Sequence, residues 1–102
     1  WNSRENMRFI EAILALKTPD EARRFLRDLM TKKEIKEFAK RLQAAELLAE
    51  KVPYSVIEEK TGLSSTTIAR VSQWLNGKEG GYRAIINRLH HHNSIQVRRG
   101  LS

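Results

Sequence analysis

The chain has 102 residues, of which 40% are hydrophobic, and this length and composition suit one compact domain. Its formal net charge of +7 favours a polyanionic partner, such as nucleic acid or an anionic membrane face. The absence of cysteine excludes disulfides and thiol catalysis and is typical of a reducing compartment, so we expect a cytoplasmic protein. Because no apolar run approaches the roughly 20 residues of a membrane span, we expect neither a span nor a signal peptide.

Three helices are predicted in the first half of the chain. The apolar run MRFIEAILAL at 7–16 predicts the first. The motif TPDE at 18–21 predicts the start of the second, because threonine can cap a helix, proline suits its first position and glutamate follows three residues after the cap. The motif TKKE at 31–34 repeats this pattern and predicts a third helix that runs to about Lys51. Pro53 ends that element, since the residue before a proline is pushed out of helical geometry.

The third predicted helix is apolar around most of its circumference. Its apolar positions start as one stripe and broaden after Leu42. A helix of this kind needs cover on more than one side. In so short a chain a second subunit is a natural source of that cover, so the pattern predicts a homodimer.

The next two predicted helices form a helix-turn-helix unit over about 54–76. Gly62 can supply a left-handed turn after a first helix at 54–60. Ser64 can cap a second helix at 65–76. The positions where packing requires apolar residues or glycine are filled by Ile57, Gly62, Leu63, Ile68 and Val71.

A last helix is predicted over 82–91, after a glycine-rich connection. The segment 92–102 is polar and basic, and we expect it to be a flexible tail. The chain is therefore predicted to be an all-α protein with one helical domain over 1–91. No strand pattern competes with this interpretation.

The second helix of a helix-turn-helix unit can enter the DNA major groove with its N-terminal end leading. Short hydroxyl side chains let the backbone approach the base edges, and threonine methyl groups can touch thymine methyl groups. An arginine one turn later can reach the DNA backbone or a base. We therefore predict DNA contacts from Ser65, Thr66, Thr67, Ala69, Arg70, Gln73 and Lys60. Glu58 and Glu59 on the first helix count mildly against close phosphate approach.

The segment MTKKEIKEFAKRLQAAELLAEKVPYSVIEEKTGLSSTTIARVSQWL resembles the tryptophan repressor family, specifically its YerC/YecD-type branch. The resemblance covers roughly residues 18–90. It rests on Met30-Thr31, Arg41, Glu46-Leu47-Leu48, Gly62 and Thr67-Ile68-Ala69-Arg70. It implies an all-α, interwoven homodimer that reads a near-palindromic operator in double-stranded DNA and represses transcription. The broad apolar face of the third predicted helix agrees with such a dimer.

The resemblance also implies a candidate ligand pocket. In tryptophan-binding members two arginines sandwich the indole, and motif positions match them to Arg41 and Arg70. The residue after the second arginine is glycine in those members and is Val71 here, while a serine that helps hold the amino group is replaced by Trp74. Thr31 is a further candidate pocket residue. Because Val71 or Trp74 would plug the site, we expect no L-tryptophan and no other cofactor, although another small-molecule effector stays open.

No pattern in the sequence favours an enzyme. It has no glycine-rich phosphate loop and no carboxylate pair in an apolar setting. Consecutive histidines at 90–92 do not bring three nitrogens together, so we expect no metal site. The alternative to a DNA-binding regulator is a protein-interaction module that keeps the helical scaffold without base readout.

Overall fold

The computed structural model describes the backbone of residues 1–100 and the side chains of residues 1–91. This part of the chain contains six helices and no strand, which confirms the predicted all-α class. The helices are α1 (Arg4–Leu14), α2 (Pro19–Leu29), α3 (Lys32–Ala49), α4 (Tyr54–Thr61), α5 (Ser65–Leu75) and α6 (Gly81–Gly100). Within the described residues, no helix combines the length and the apolar character that crossing a membrane would need.

The chain divides into two compact units, Trp1–Lys36 and Glu37–Ser102. The single domain over 1–91 therefore stays a prediction.

Side-chain caps set the starts of the helices in the first unit. α1 begins at Arg4, earlier than the apolar run predicted, because the Ser3 hydroxyl accepts a hydrogen bond from the Asn6 N–H at 3.1 Å. α2 begins as predicted, with the Thr18 hydroxyl accepting from the Glu21 N–H at 3.1 Å. The Glu21 carboxylate accepts from the Lys17 N–H at 3.1 Å, one residue before the position that the capping-box pattern predicts.

The apolar side chains of the first unit are largely uncovered. None of the residues 1–36 is buried. Leu14 is 78% exposed and Leu29 is 50% exposed, although both lie on helices whose apolar residues gather on one side. Apolar faces of this kind need a packing partner.

The predicted capping box at the start of α3 is complete. The Thr31 hydroxyl accepts from the Glu34 N–H at 3.1 Å, and the Glu34 carboxylate accepts from the Thr31 N–H at 3.0 Å. The hydrogen bond from the Thr31 backbone lowers the pKa of Glu34 from its ordinary value of 4.5. At its other end α3 stops at Ala49, and Lys51 takes a left-handed φ of 63° before Pro53.

The second unit contains the buried core. α5 packs against α4 and α6. The core residues come from α3 to α6 and the turn before α5, and they are Ala44, Ala45, Ile57, Leu63, Ile68, Val71, Leu75 and Ile86. α5 is thus held on its inner side by neighbouring helices, which fixes the side that it presents outward.

α6 is longer than the predicted helix over 82–91, since it continues to Gly100. No proline or glycine stands between Gly81 and Gly100 to stop it. The flexible tail expected over 92–102 falls on residues whose side chains lie outside the described part of the chain, and it stays a prediction.

Candidate nucleic-acid interface

A glycine in left-handed geometry joins α4 to α5. Gly62 has a φ of 75° and a ψ of 5°, a conformation that glycine adopts without a steric cost. Its N–H donates to the Glu58 carbonyl at 2.8 Å and closes the last turn of α4. The predicted left-handed turn is therefore confirmed, and both flanking helices end within one residue of their predicted bounds.

A buried hydroxyl fixes the path of the chain through this turn. Thr61 is only 4% exposed. Its hydroxyl donates to the Ile57 carbonyl at 2.7 Å and accepts from the Leu63 N–H at 3.1 Å. One side chain therefore links the last turn of α4 to the residue just before the cap of α5, and it satisfies a buried backbone donor.

The start of α5 is capped by Ser64, as predicted. The Ser64 hydroxyl oxygen accepts from the Thr67 N–H at 3.2 Å. The Ser64 hydroxyl also donates to the Thr67 hydroxyl oxygen at 3.1 Å. Because the oxygen of Thr67 acts as acceptor in this contact, the contact does not use the O–H of Thr67.

The two sides of α5 differ sharply in burial. Ile68 and Val71 are fully buried and Leu75 is 3% exposed, so the inner side belongs to the core. The residues on the other side are exposed, and they are Ser65, Thr66, Ala69, Arg70 and Gln73. Thr67 lies at the border and is half-buried. The side of α5 predicted to face DNA is thus open from the N-terminal end of the helix onward.

Cationic side chains flank the exposed side of α5. Arg70 and Lys60 are exposed, and neither forms an ion pair with a described residue. The first turn of α5 carries no acidic residue. The acidic pair Glu58 and Glu59 is also exposed, in the second half of α4. The positive charges of Arg70 and Lys60 can attract an anion to the exposed side of α5, while the negative charges of Glu58 and Glu59 repel it.

Arg41, one of the candidate pocket residues, lies on α3. Its guanidinium carbon is 5.4 Å from the centroid of the Phe38 ring, within the range of a cation–π contact. Its Nε is 3.5 Å from the Glu37 carboxylate but outside hydrogen-bond geometry, and this buried nitrogen has no hydrogen-bond partner among the described residues. Burial raises the pKa of the Tyr82 phenol above 10.0, and the charge of Arg41 opposes that shift.

The other candidate pocket residues lie in different surroundings. Val71 is fully buried in the core, so the space that a glycine would leave open is filled. Trp74 is 50% exposed and lies against a surface cavity of about 340 Å³. The remaining walls of that cavity are Gln73, Gly77, Lys78, Glu79, Gly81 and Tyr82. Neither Arg41 nor Arg70 lines this cavity, and Thr31 lies in the first unit, where its hydroxyl caps α3.

Metal ligands are not gathered anywhere in the described part of the chain. No group of three or more His, Cys, Asp or Glu side chains within residues 1–91 is placed to hold an ion. The side chain of His92, the last of the three consecutive histidines, lies outside the described residues.

Two residues in or beside the turn could not be identified from the sequence as part of the site. Thr61 is one, because a threonine before a glycine gives no sign that its hydroxyl will bridge two backbone groups. Lys40 is the other; it lies on α3, and its Nζ is 3.9 Å from the position that a Cβ on Gly62 would occupy. Lys40 and Gly62 lie far apart along the chain, so no sequence spacing signals that they come close together.

A family model described as Trp repressor protein matches residues 5–90 of the chain. Among curated proteins, the chain is 41% identical over 78 residues to YerC of Bacillus subtilis (strain 168), which is described as an uncharacterized protein. That match covers 76% of this chain and 75% of YerC.

Two solved structures have the same fold. A TrpR-like protein from Eubacterium eligens ATCC 27750 superposes with a TM-score of 0.82 at 39% identity, over 87% of this chain and 92% of that one. A putative Trp repressor from Staphylococcus aureus also gives a TM-score of 0.82, at 31% identity, over 87% of this chain and 89% of that one. The predicted Trp-repressor-like fold and the resemblance to the YerC-type branch are both confirmed.

Proposed function

We propose that this chain, which belongs to the Trp repressor family, is a sequence-specific DNA-binding regulator of transcription, and that it acts as a repressor. One observation carries the proposal: α5 buries Ile68, Val71 and Leu75 while its capped N-terminal end and opposite side stay open. A helix held in this way can enter the major groove without repacking the core.

The residues on the open side of α5 divide by chemistry. Ser65, Thr66 and Thr67 offer hydroxyl groups and methyl groups to base edges, and Ala69 permits close approach. Arg70, Gln73 and Lys60 reach the groove rim or the phosphates. Base contacts supply sequence preference, while phosphate contacts set position and most of the salt dependence.

The DNA-binding form is a homodimer in this proposal. Its support is the set of apolar side chains that the described residues leave exposed, such as Leu14, Leu29 and Phe38. A two-fold dimer places two copies of α5 about 34 Å apart, one DNA turn, so the operator is close to palindromic. The protein is then cytoplasmic and associates with the nucleoid when bound.

L-Tryptophan is not the effector in this proposal. Val71 is fully buried and occupies the place that glycine takes in tryptophan-binding members. Trp74 is half-exposed rather than inside a closed site, and the neighbouring cavity has room for an effector of another kind. No catalytic step is assigned to the protein.

Fluorescence anisotropy with DNA fragments from the source genome tests this function. Binding to the preferred fragment should weaken steeply as salt rises, because counterions are released from the DNA. Arg70→Ala should weaken binding by about 1–3 kcal/mol. The matched control is Arg88→Ala, which removes the same charge from an exposed site on α6 and should bind as the unchanged protein does. Equal affinity for all fragments together with flat salt dependence would contradict the proposal.

The competing function is a protein-interaction module on the same scaffold. The exposed acidic pair Glu58 and Glu59 favours it, because negative charge on α4 opposes phosphate. Thr66→Ala with Arg70→Ala separates the two functions. A regulator loses DNA affinity and stays dimeric, whereas an interaction module shows no change in DNA binding. Thr67 is less suited to this test because its oxygen also takes part in the cap of α5.

A further inference from the structure

A lysine from outside the helix-turn-helix unit stands beside its turn. Lys40 belongs to α3, and its Nζ lies 3.9 Å from the position of a Cβ built on Gly62. The ammonium group therefore lies next to the turn without covering it. Gly62 itself and the residues that follow it at the start of α5, Ser64 and Ser65, are exposed. Lys40 therefore adds positive charge at the same exposed surface.

The charge of Lys40 has no carboxylate partner among the described residues. The one acidic side chain a single turn before it on α3, Glu37, pairs with Arg41 at 3.5 Å. No carboxylate oxygen in residues 1–91 lies within 4.0 Å of Lys40 Nζ. Lys40 as a whole residue is half-buried. An ammonium group beside an exposed turn, without a counter-charge among the described residues, is well placed to pair with an anion from outside the chain.

We propose that Lys40 contacts a phosphate of the DNA backbone next to the turn between α4 and α5, so that a third helix takes part in binding. This inference rests on the proposed function. A lysine acts on phosphate as a point charge with three rotatable donors, which suits a contact whose geometry is not fixed by base pairing. Such a contact sets the position of the protein on the duplex and carries no base preference.

The salt dependence of binding isolates this role. Each phosphate neutralised contributes about 0.9 to the slope of log affinity against log salt concentration. Lys40→Gln should lower the slope by about 0.9 for each subunit, or about 1.8 for a dimer. The unchanged protein should bind DNA more tightly than Lys40→Gln at low salt. Between about 50 and 200 mM salt, the ratio of their affinities should fall by about threefold for each phosphate that the variant no longer neutralises. The ratio of affinities for the preferred and a scrambled fragment should stay the same.

Two further variants control for folding and for net charge. Lys40→Arg keeps the charge and should restore the slope. Lys78→Gln removes the same charge beyond the opposite end of α5, at an exposed position, and should leave the slope close to that of the unchanged protein.

The outcomes separate the two proposals. If the unchanged protein binds DNA with a steep slope and Lys40→Gln has the same slope, the role of Lys40 is wrong and the proposed function stands. An equal decrease of the slope in Lys40→Gln and Lys78→Gln also overturns the role of Lys40, since the slope would then depend on net charge alone. If the unchanged protein shows no salt-dependent binding to any fragment, the proposed function fails, and the phosphate contact fails with it.

Discussion

Replacing Thr61 by valine tests the turn that positions α5. Valine has nearly the shape of threonine but lacks the hydroxyl, so it removes the bond to the Ile57 carbonyl at 2.7 Å and leaves the Leu63 N–H without its acceptor at 3.1 Å. The site is only 4% exposed, and water cannot readily replace the lost acceptor. A buried donor left unsatisfied costs about 1–3 kcal/mol. For a domain of this size, each kcal/mol lowers the melting temperature by about 4–8 °C.

Thermal unfolding followed by circular dichroism measures this effect, at one fixed protein concentration because the proposed homodimer would melt in a concentration-dependent way. Thr66→Val is the matched control. It makes the same chemical change on the exposed side of α5 and should alter stability by less than about 0.5 kcal/mol. If Thr61→Val had the same melting temperature as Thr66→Val and the unchanged protein, the bridging role of the Thr61 hydroxyl would be refuted.

Three further predictions concern the turn, the cap of α3 and the ligand. In chemical denaturation, Gly62→Ala should lower the free energy of unfolding by about 1–2 kcal/mol, because the φ of 75° at this position strains any residue with a Cβ. Gly81→Ala is the control and should show no such loss, since a Cβ at Gly81 would have no atom within 4 Å. Glu34 should titrate below 4.5 by NMR, so its contribution to stability is present above its unfolded pKa and is lost as pH falls through the folded pKa; a midpoint at or above 4.5 would contradict the cap. L-Tryptophan should leave the melting temperature unchanged, because Val71 is fully buried, and a rise of several degrees would overturn that expectation.

Local chemistry explains why much of the second unit was predictable from sequence. A glycine that can adopt positive φ, a serine cap and apolar residues at helical spacing each act over a few residues. Gly62, Ser64, Ile68 and Val71 therefore lie as the pattern predicts. The capping box at Thr31 is local in the same sense, since both of its hydrogen bonds join residues three apart.

Features that depend on packing or on a missing stop signal were harder to predict. The proximity of Lys40 to Gly62 depends on how α3 passes the turn, and no motif encodes it. The sequence predicts that Val71 or Trp74 fills a ligand pocket, but it does not show that Val71 is fully buried in the core while Trp74 is 50% exposed on the same helix. The end of α6 was placed too early because a polar, basic composition is a weak guide to where a helix stops.

The central claim is that the open side of α5 reads base sequence in duplex DNA. Selection from a random double-stranded library, with the full chain and with Thr66→Ala run in parallel, tests it most directly. The unchanged protein should enrich a two-fold symmetric site whose half-sites lie about one helical turn apart. Thr66→Ala should keep that symmetry and spacing while changing the base preference at one position in each half-site. Recovery of no common sequence by the unchanged protein, or of the same sequence by both proteins, would contradict the claim.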